Sequence, residues 1–320
     1  MKLNNTQLLN YVARIRLTQA MKNTYARQID DLVSELCGAI DEHTDMRVTR
    51  VLRAGSWKKG TALRPRAEHP LDIDLVFFLD LEESSAAEVS VLHDTLLAFL
   101  KAAYPNKSED DFKGGQKTVG LVFRGSGLMA DLVPVVPLKS DPAYVWQPSI
   151  EPGGGRFVTS VERQLEFVQQ RKAANPAYSA TVRMLKAWKA RKELEVSSFA
   201  IELTLAHLDL TRGTATNIED AALRAFEYLC RSTFPPILFP GAIGMATDEP
   251  GPAYVADPTN NANNVLKRLD AAEWARVREA ALAAWEALSF AQSKASQAET
   301  LELWKEVFGP RFNIEPPEET

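Results

Sequence analysis

Only two cysteines, Cys37 and Cys230, and four scattered histidines, His43, His69, His93 and His207, occur in the chain. With no CxxC pair and no clustered His/Cys set, neither a disulfide framework nor a structural zinc module is expected. No apolar run reaches the ~20 residues that cross a bilayer, and the opening MKLNNTQLLNYVARIR lacks a signal-peptide core, so a cytoplasmic protein without a membrane span is expected. Positive charge is also short: 37 Lys and Arg stand against 42 Asp and Glu, a net charge of −5. Long DNA or RNA is held by many phosphate contacts, which an acidic chain must gather on one patch. The basic groups are small, Lys58, Lys59, Arg64 and Arg66, then Arg183, Lys186, Lys189, Arg191 and Lys192. Solvated helix faces explain most of them, so no duplex nucleic-acid activator is expected.

What the chain does contain is concentrated between Ala54 and Leu81, AGSWKKGTALRPRAEHPLDIDLVFFLDL. Asp72 and Asp74 take alternate positions in LDIDLVFFL, whose branched and aromatic residues predict a strand over about 71–80. Both carboxylates then point to one face, and Ile73 and Leu75 to the other. Two carboxylates about 7 Å apart on a strand face repel unless a cation lies between them, and oxygen-only ligands suit Mg²⁺ or Mn²⁺. Upstream, Gly55 and Ser56 end a strand expected over about 47–54. A glycine lets backbone N–H groups approach an anion, and the serine hydroxyl donates to a phosphate oxygen or caps a short helix, so this turn reads as triphosphate-binding. A third carboxylate, Asp131, interrupts the apolar strand LMADLVPVVPL after the turn Gly125-Ser126-Gly127. A charge there is costly unless paired or bound to a cation, so Asp131 is a lone strand-end residue, a salt-bridged core residue or the third member of the set.

Helical periodicity runs through residues 5–42, with Leu8, Leu9, Val12, Ile15, then Tyr25, Ile29, Leu32, Val33, Leu36 and Ile40 at three- and four-residue steps, predicting one broken or very long helix. Ser84 or Ser85 is expected to cap a helix over about 85–104, and the polar stretch 106–117 to be a solvated loop. The Pro- and Gly-rich stretch 139–158 marks a crossing between two lobes. Helices are expected beyond it at about 160–172, 178–193, 197–211, 218–231, 262–289 and 294–307. The resulting class is α+β, with a catalytic lobe over 1–150 and a helical lobe over 151–320.

Gly-Ser, then Asp-x-Asp, then a third Asp on a neighbouring strand resembles the pattern of the DNA polymerase β type nucleotidyltransferases. GS-x-x-x-GTALRP followed by DIDLVFFL looks most like their cyclic-oligonucleotide synthase branch, related to cyclic GMP-AMP synthase and oligoadenylate synthase and common in bacterial anti-phage (CBASS) signalling. The bulky Trp57 departs from the commonest spelling of the turn. The resemblance implies a mixed-sheet nucleotidyltransferase lobe, an N-terminal spine helix, a helical second lobe and a nucleotide cleft between the lobes. It further implies two Mg²⁺ or Mn²⁺ ions on Asp72, Asp74 and Asp131, and a triphosphate on Gly55 and Ser56. In the helical lobe it makes Lys186 and Ser198 phosphate contacts and Phe199 a stacking surface for a base. By residue type alone Lys186 is an ordinary solvated helix lysine, and Ser197 is an equally good N-cap. Asp257, Asn260, Asn261, Asn263 and Asn264 either make Asx turns and helix caps or include one amide that reads a base.

The product implied is a cyclic di- or trinucleotide made from nucleoside triphosphates, ATP among them. An activating partner protein of the same operon and a downstream effector that binds the product are implied as well. Linear oligonucleotides, nucleotide transfer to a protein, RNA or small molecule, and an inactive nucleotide-binding scaffold are the alternative readings of the same residues.

Overall fold

The computed structural model describes residues 1–43, 47–66, 70–82, 89–114, 119–148, 155–247 and 251–317. The chain divides into two compact units, Leu17–Leu165 and a second composed of Met1–Arg16 with Glu166–Thr320. The expected long N-terminal helix is broken where these units divide. Helix α1 (Asn5–Ile15) starts from a capping box of Asn4 and Gln7 and ends as Arg16 turns to extended backbone. The Thr18 hydroxyl accepts the Met21 N–H at 3.2 Å and starts α2 (Gln19–His43).

The Leu17–Leu165 unit continues with β1 (Val48–Arg53), α3 (Gly55–Lys59), β2 (Leu71–Leu79), α4 (Val89–Ala103), β3 (Phe112–Gly114), β4 (Val119–Phe123), β5 (Leu128–Pro137), β6 (Val145–Pro148) and β7 (Arg156–Thr159). The sheet order is β1-β2-β5-β4-β3, with β6 on β5 and β7 on β6. Among the described residues of this sheet, only β2 and β5 pair in parallel; the other strand pairs are antiparallel. Ile73, Leu75, Phe77, Leu121, Ala130 and Leu132 fill one face. They pack against Ile29, Leu32, Leu36 and Ile40 of α2 and Leu96 and Leu100 of α4. Each large apolar side chain so buried contributes roughly 1.5–3 kcal/mol, and a one-residue slip would turn them all to the opposite face, so this burial pins the β2/β5 register.

Two local expectations need correction, and a third lies outside the described residues. The stretch 106–117 is no mere solvated loop: its described part makes a 3-10 turn at Glu109–Asp111 and the edge strand β3. Asp111 accepts from the Arg124 Nε and from the Ser108 N–H, and the Arg124 hydrogen bond holds its carboxyl below the usual range. The stretch 139–158 is more than a connection, since its described residues supply β6 and β7. Ser84 and Ser85, the expected caps of α4, lie outside the described residues.

The second unit adds α5 (Val161–Ala174), which begins in the first unit, then α6 (Tyr178–Arg191), α7 (Ser198–Arg212), α8 (Ile218–Leu229), β8 (Ala256–Asp257), β9 (Asn260–Asn264), α9 (Ala271–Ser293) and α10 (Gln297–Phe308). Residues 1–16 belong here because Tyr11 packs on Phe312 (ring centroids 4.6 Å apart), which stacks with Trp304 and Phe308 of α10. The helix expected over 262–289 starts late, at Ala271. Asp270 caps it by accepting the Glu273 N–H at 2.8 Å, while the Asn-rich residues before it form a hairpin. Among the described residues no helix is long and apolar enough to cross a membrane.

Candidate active site

In the parallel register of β2 and β5, Asp74 stands beside Asp131 and Asp72 beside Met129. Partners in register share a face, and Asp72 and Asp74 share one by alternation, so all three carboxylates project from the same side of two strands about 4.8 Å apart. Asp72 is exposed; Asp74 and Asp131 are half-buried. Further along the same face come Val76 and Phe78 of β2 and Val133 and Val135 of β5. These join Ala54, Val145 and Val161 in a small apolar cluster. The acids therefore stand where this face passes from water to a closed core. On β4 the residue opposite Asp131 is Gly120, so that strand sets no side chain beside the third carboxylate.

The Gly55–Ser56 turn lies against this face. The Ala54 N–H donates to the Asp74 carbonyl at 2.8 Å, tying the end of β1 to β2. Gly55 then adopts φ +60°, and a Cβ built on it would fall 1.7 Å from Asp74 Oδ2. The Ser56 carbonyl accepts the N–H groups of Thr61 (2.9 Å) and Ala62 (3.1 Å), and Gly60, at φ 70°, closes the one-turn helix α3. The bulk of Trp57 is absorbed by the core. Its ring packs edge-on to Tyr25, with centroids 6.5 Å apart. Tyr25 donates its phenol to the Ser126 carbonyl at 2.8 Å, and burial pushes that phenol's pKa up, so it remains a donor. The Ser126 hydroxyl donates to Gln28 at 2.8 Å. The Gly125–Gly127 turn that launches β5 is thus pinned to α2.

Whether these residues suit divalent ions can be judged from the donor set. Ionised carboxylates only accept hydrogen bonds, so three on one strand-pair face cannot satisfy one another and match a hard cation that takes oxygen ligands. Among the described residues no three His, Cys, Asp or Glu side chains are gathered into a ready cage. The fit rests on strand register and donor chemistry, and on both counts the residues fit.

The remaining candidates lie in the second unit. Lys186 is half-buried on α6, a helix that buries Val182, Met184, Leu185 and Trp188. Burial, and then the charge of Arg16, pull the Arg183 pKa down. Ser197 takes the cap of α7, accepting the Phe199 N–H at 3.2 Å, which leaves Ser198 as the first helical residue, half-buried like Phe199. In the β8–β9 hairpin most polar side chains serve the backbone. Asp257 accepts both the N–H and the hydroxyl of Thr259 at 2.8 Å, and Asn260 accepts from the Ala262 N–H at 3.0 Å. Asn261 bonds both the N–H and the carbonyl of Phe239. Asn264 accepts from Val255 and Leu266 and donates to the Ala253 carbonyl. Asn263 and Asn264 cap no helix. Gly120 and the Tyr25–Ser126 clamp were missed by sequence reasoning; a glycine inside the strand run TVGLVFR was the available signal for the first.

Residues 1–150 match the model of the Second Messenger Oligonucleotide or Dinucleotide Synthetase domain. The CBASS oligonucleotide cyclase CdnC of Escherichia coli strain KTE188 is 30% identical over 318 residues, 98% of this chain and 99% of the relative. A cyclic AMP-AMP-AMP synthase of Escherichia coli strain MS 115-1 is 29% identical over 311 residues, 93% of this chain and 94% of the relative. The solved structure of E. coli MS115-1 CdnC with ATP has a TM-score of 0.79 at 28% identity, covering 97% of this chain and 99% of that one. The complex of E. coli MS115-1 CdnC with HORMA-deltaN has a TM-score of 0.73 at 26% identity, covering 96% and 98%.

Proposed function

Since the chain belongs to the CBASS oligonucleotide cyclases, nucleotidyltransferases that make cyclic oligonucleotides, we propose that its product is a cyclic di- or trinucleotide built from nucleoside triphosphates with ATP among them. The observation that carries this reading to named residues is the pairing of Asp74 with Asp131 across β2 and β5, beside Asp72 on the same face. A solved structure with ATP and a relative's name that specifies an all-adenine product, both from E. coli MS 115-1, support ATP as a substrate.

Asp72 and Asp74 are the residues to hold two divalent ions, Mg²⁺ or Mn²⁺, and Asp131 to hold one of them. When bound, such ions supply positive charge that eases loss of a ribose hydroxyl proton and build-up of charge on departing pyrophosphate. Asp131 takes the hydroxyl proton on a carboxylate oxygen, since no His or Glu in the motifs offers a better base. Gly55 and Ser56 hold the triphosphate through backbone N–H groups and the serine hydroxyl. Lys186 and Ser198 bind phosphate oxygens, and Phe199 stacks on a base. The enzyme works in the cytoplasm, where its triphosphate substrates are, and its product acts through an anti-phage effector.

Incubation of the pure chain with labelled ATP, GTP, CTP and UTP plus Mg²⁺ or Mn²⁺ should yield phosphatase-resistant products that depend on ATP and on the ion. A product keeping a phosphatase-sensitive 5′-triphosphate would refute cyclisation. The relative solved with HORMA-deltaN supports control by a protein partner. Adding such a partner should raise turnover, while duplex DNA or RNA should change it by no more than about twofold. Strong, length-dependent stimulation by a duplex would overturn the second half of that statement.

A further inference from the structure

We propose that Gly55 is a positioning residue for the Asp74 carboxylate, in addition to any part it takes in a phosphate turn. The inference rests on the reading of Asp72, Asp74 and Asp131 as ligands of divalent ions. Gly55 and Gly127 adopt nearly the same backbone, φ +60° and φ +69°, yet their surroundings differ. A Cβ on Gly127 would meet only the Pro65 Cβ, at 3.9 Å, an ordinary contact. A Cβ on Gly55 would lie 1.7 Å from Asp74 Oδ2, 2.9 Å from its Cγ and 3.5 Å from its Cβ. Left-handed backbone makes alanine unfavourable at both positions to a similar degree, so only the collision with the carboxylate sets Gly55 apart.

The main chain cannot easily yield to that collision. Ala54, the residue before Gly55, donates its N–H to the Asp74 carbonyl at 2.8 Å, and Arg53 is paired with Leu75 in the β1/β2 ladder. Moving Gly55 away would pull on that ladder, and moving Asp74 would disturb its register with Asp131. The soft coordinate left is the rotation of the Asp74 side chain. The absent Cβ is thus the space the Asp74 carboxylate occupies, and the backbone of Gly55 is the wall that keeps it turned toward the face it shares with Asp131. Groups that orient a metal ligand typically carry ten- to a hundredfold in metal affinity.

The test uses the full chain and Mn²⁺ alone, without nucleotide, following free Mn²⁺ by electron paramagnetic resonance. Gly55→Ala should bind Mn²⁺ at least about tenfold more weakly than the unaltered chain, while Gly127→Ala stays within about twofold of it. Equal affinity of Gly55→Ala and the unaltered chain would overturn the proposal while leaving the metal reading in place. If the unaltered chain binds Mn²⁺ no better than the Asp72→Asn, Asp74→Asn variant, the metal reading itself fails and takes the proposal with it. Thermal unfolding supplies the second measurement. In an Asp74→Ala background the collision partner is gone, and of the three nearest atoms the Asp74 Cβ remains, at an ordinary 3.5 Å. Gly55→Ala should then lower Tm much less than it does in the unaltered chain, and an equal loss in both backgrounds would overturn the proposal. Should Gly55→Ala alone fail to fold, the double variant decides: it folds if the carboxylate is the cause and fails to fold if it is not.

Discussion

Two strand pairs in this protein carry polar side chains where apolar ones would be ordinary, and they use them in opposite ways. On β2 and β5 the polar residues are carboxylates, three on one face. On β8 and β9 they are mainly amides, and Asn260, Asn261 and Asn264 spend their hydrogen bonds on neighbouring backbone. An amide carries a donor and an acceptor on one group, so a folded chain can satisfy it from within. Ionised carboxylates offer acceptors only, and several together repel. The amides build a hairpin; the acids, in the function proposed above, hold divalent ions. Strand polarity alone therefore does not mark a site; like charge on a shared face is what distinguishes the proposed one.

The contrast breaks most completely at the acids. Asp72→Asn with Asp74→Asn should abolish product formation while the chain stays folded by circular dichroism. Its Tm should be unchanged or higher in the absence of metal, because like charges have been removed. Full turnover by this variant would end the assignment. Asp131→Ala should also abolish turnover, yet leave triphosphate binding close to that of the unaltered chain in a nucleotide titration. A loss of binding as large as the loss of rate would contradict the separate role given to Asp131.

Smaller effects sharpen the comparison. A phosphate contact from a charged side chain is worth about 1.5–3 kcal/mol, so Lys186→Ala should weaken nucleotide use by about ten- to a hundredfold. Unchanged KM and kcat would return Lys186 to the role of a solvated helix residue. In the hairpin the prediction inverts. Asn264→Ala leaves two N–H groups and one carbonyl short of a partner, and the chain should lose roughly 1–3 kcal/mol of stability in a denaturant titration, with little change in turnover per folded molecule. A large fall in turnover at undiminished stability would instead make this amide part of the site.

Much of the first unit was legible before any coordinates, for a physical reason. Strand alternation and helix periodicity are properties of a few consecutive residues, so LDIDLVFFL declared a strand with both aspartates on one side, and Tyr25, Ile29, Leu32, Leu36 and Ile40 declared the buried stripe of α2. The Gly-Ser and Asp-x-Asp spelling was legible for the same reason, as were the helices from α5 to α8 to within a few residues. Less was legible near 260. Asn, Asp and Thr there signal turns and caps alike, and only the bonds to Phe239, Ala253 and Val255 decided for a hairpin that delays α9 to Ala271.

By itself, then, the sequence singled out the residues proposed to carry the chemistry, because residue type and short spacing suffice for that. Tertiary structure alone decided that Asp131 stands level with Asp74, that Gly120 leaves its side of Asp131 bare, and that Gly55 lies on the Asp74 carboxylate. These are relations between strands far apart in the chain. Their register is set by which apolar side chains share the core against α2 and α4, and no local pattern encodes that sum.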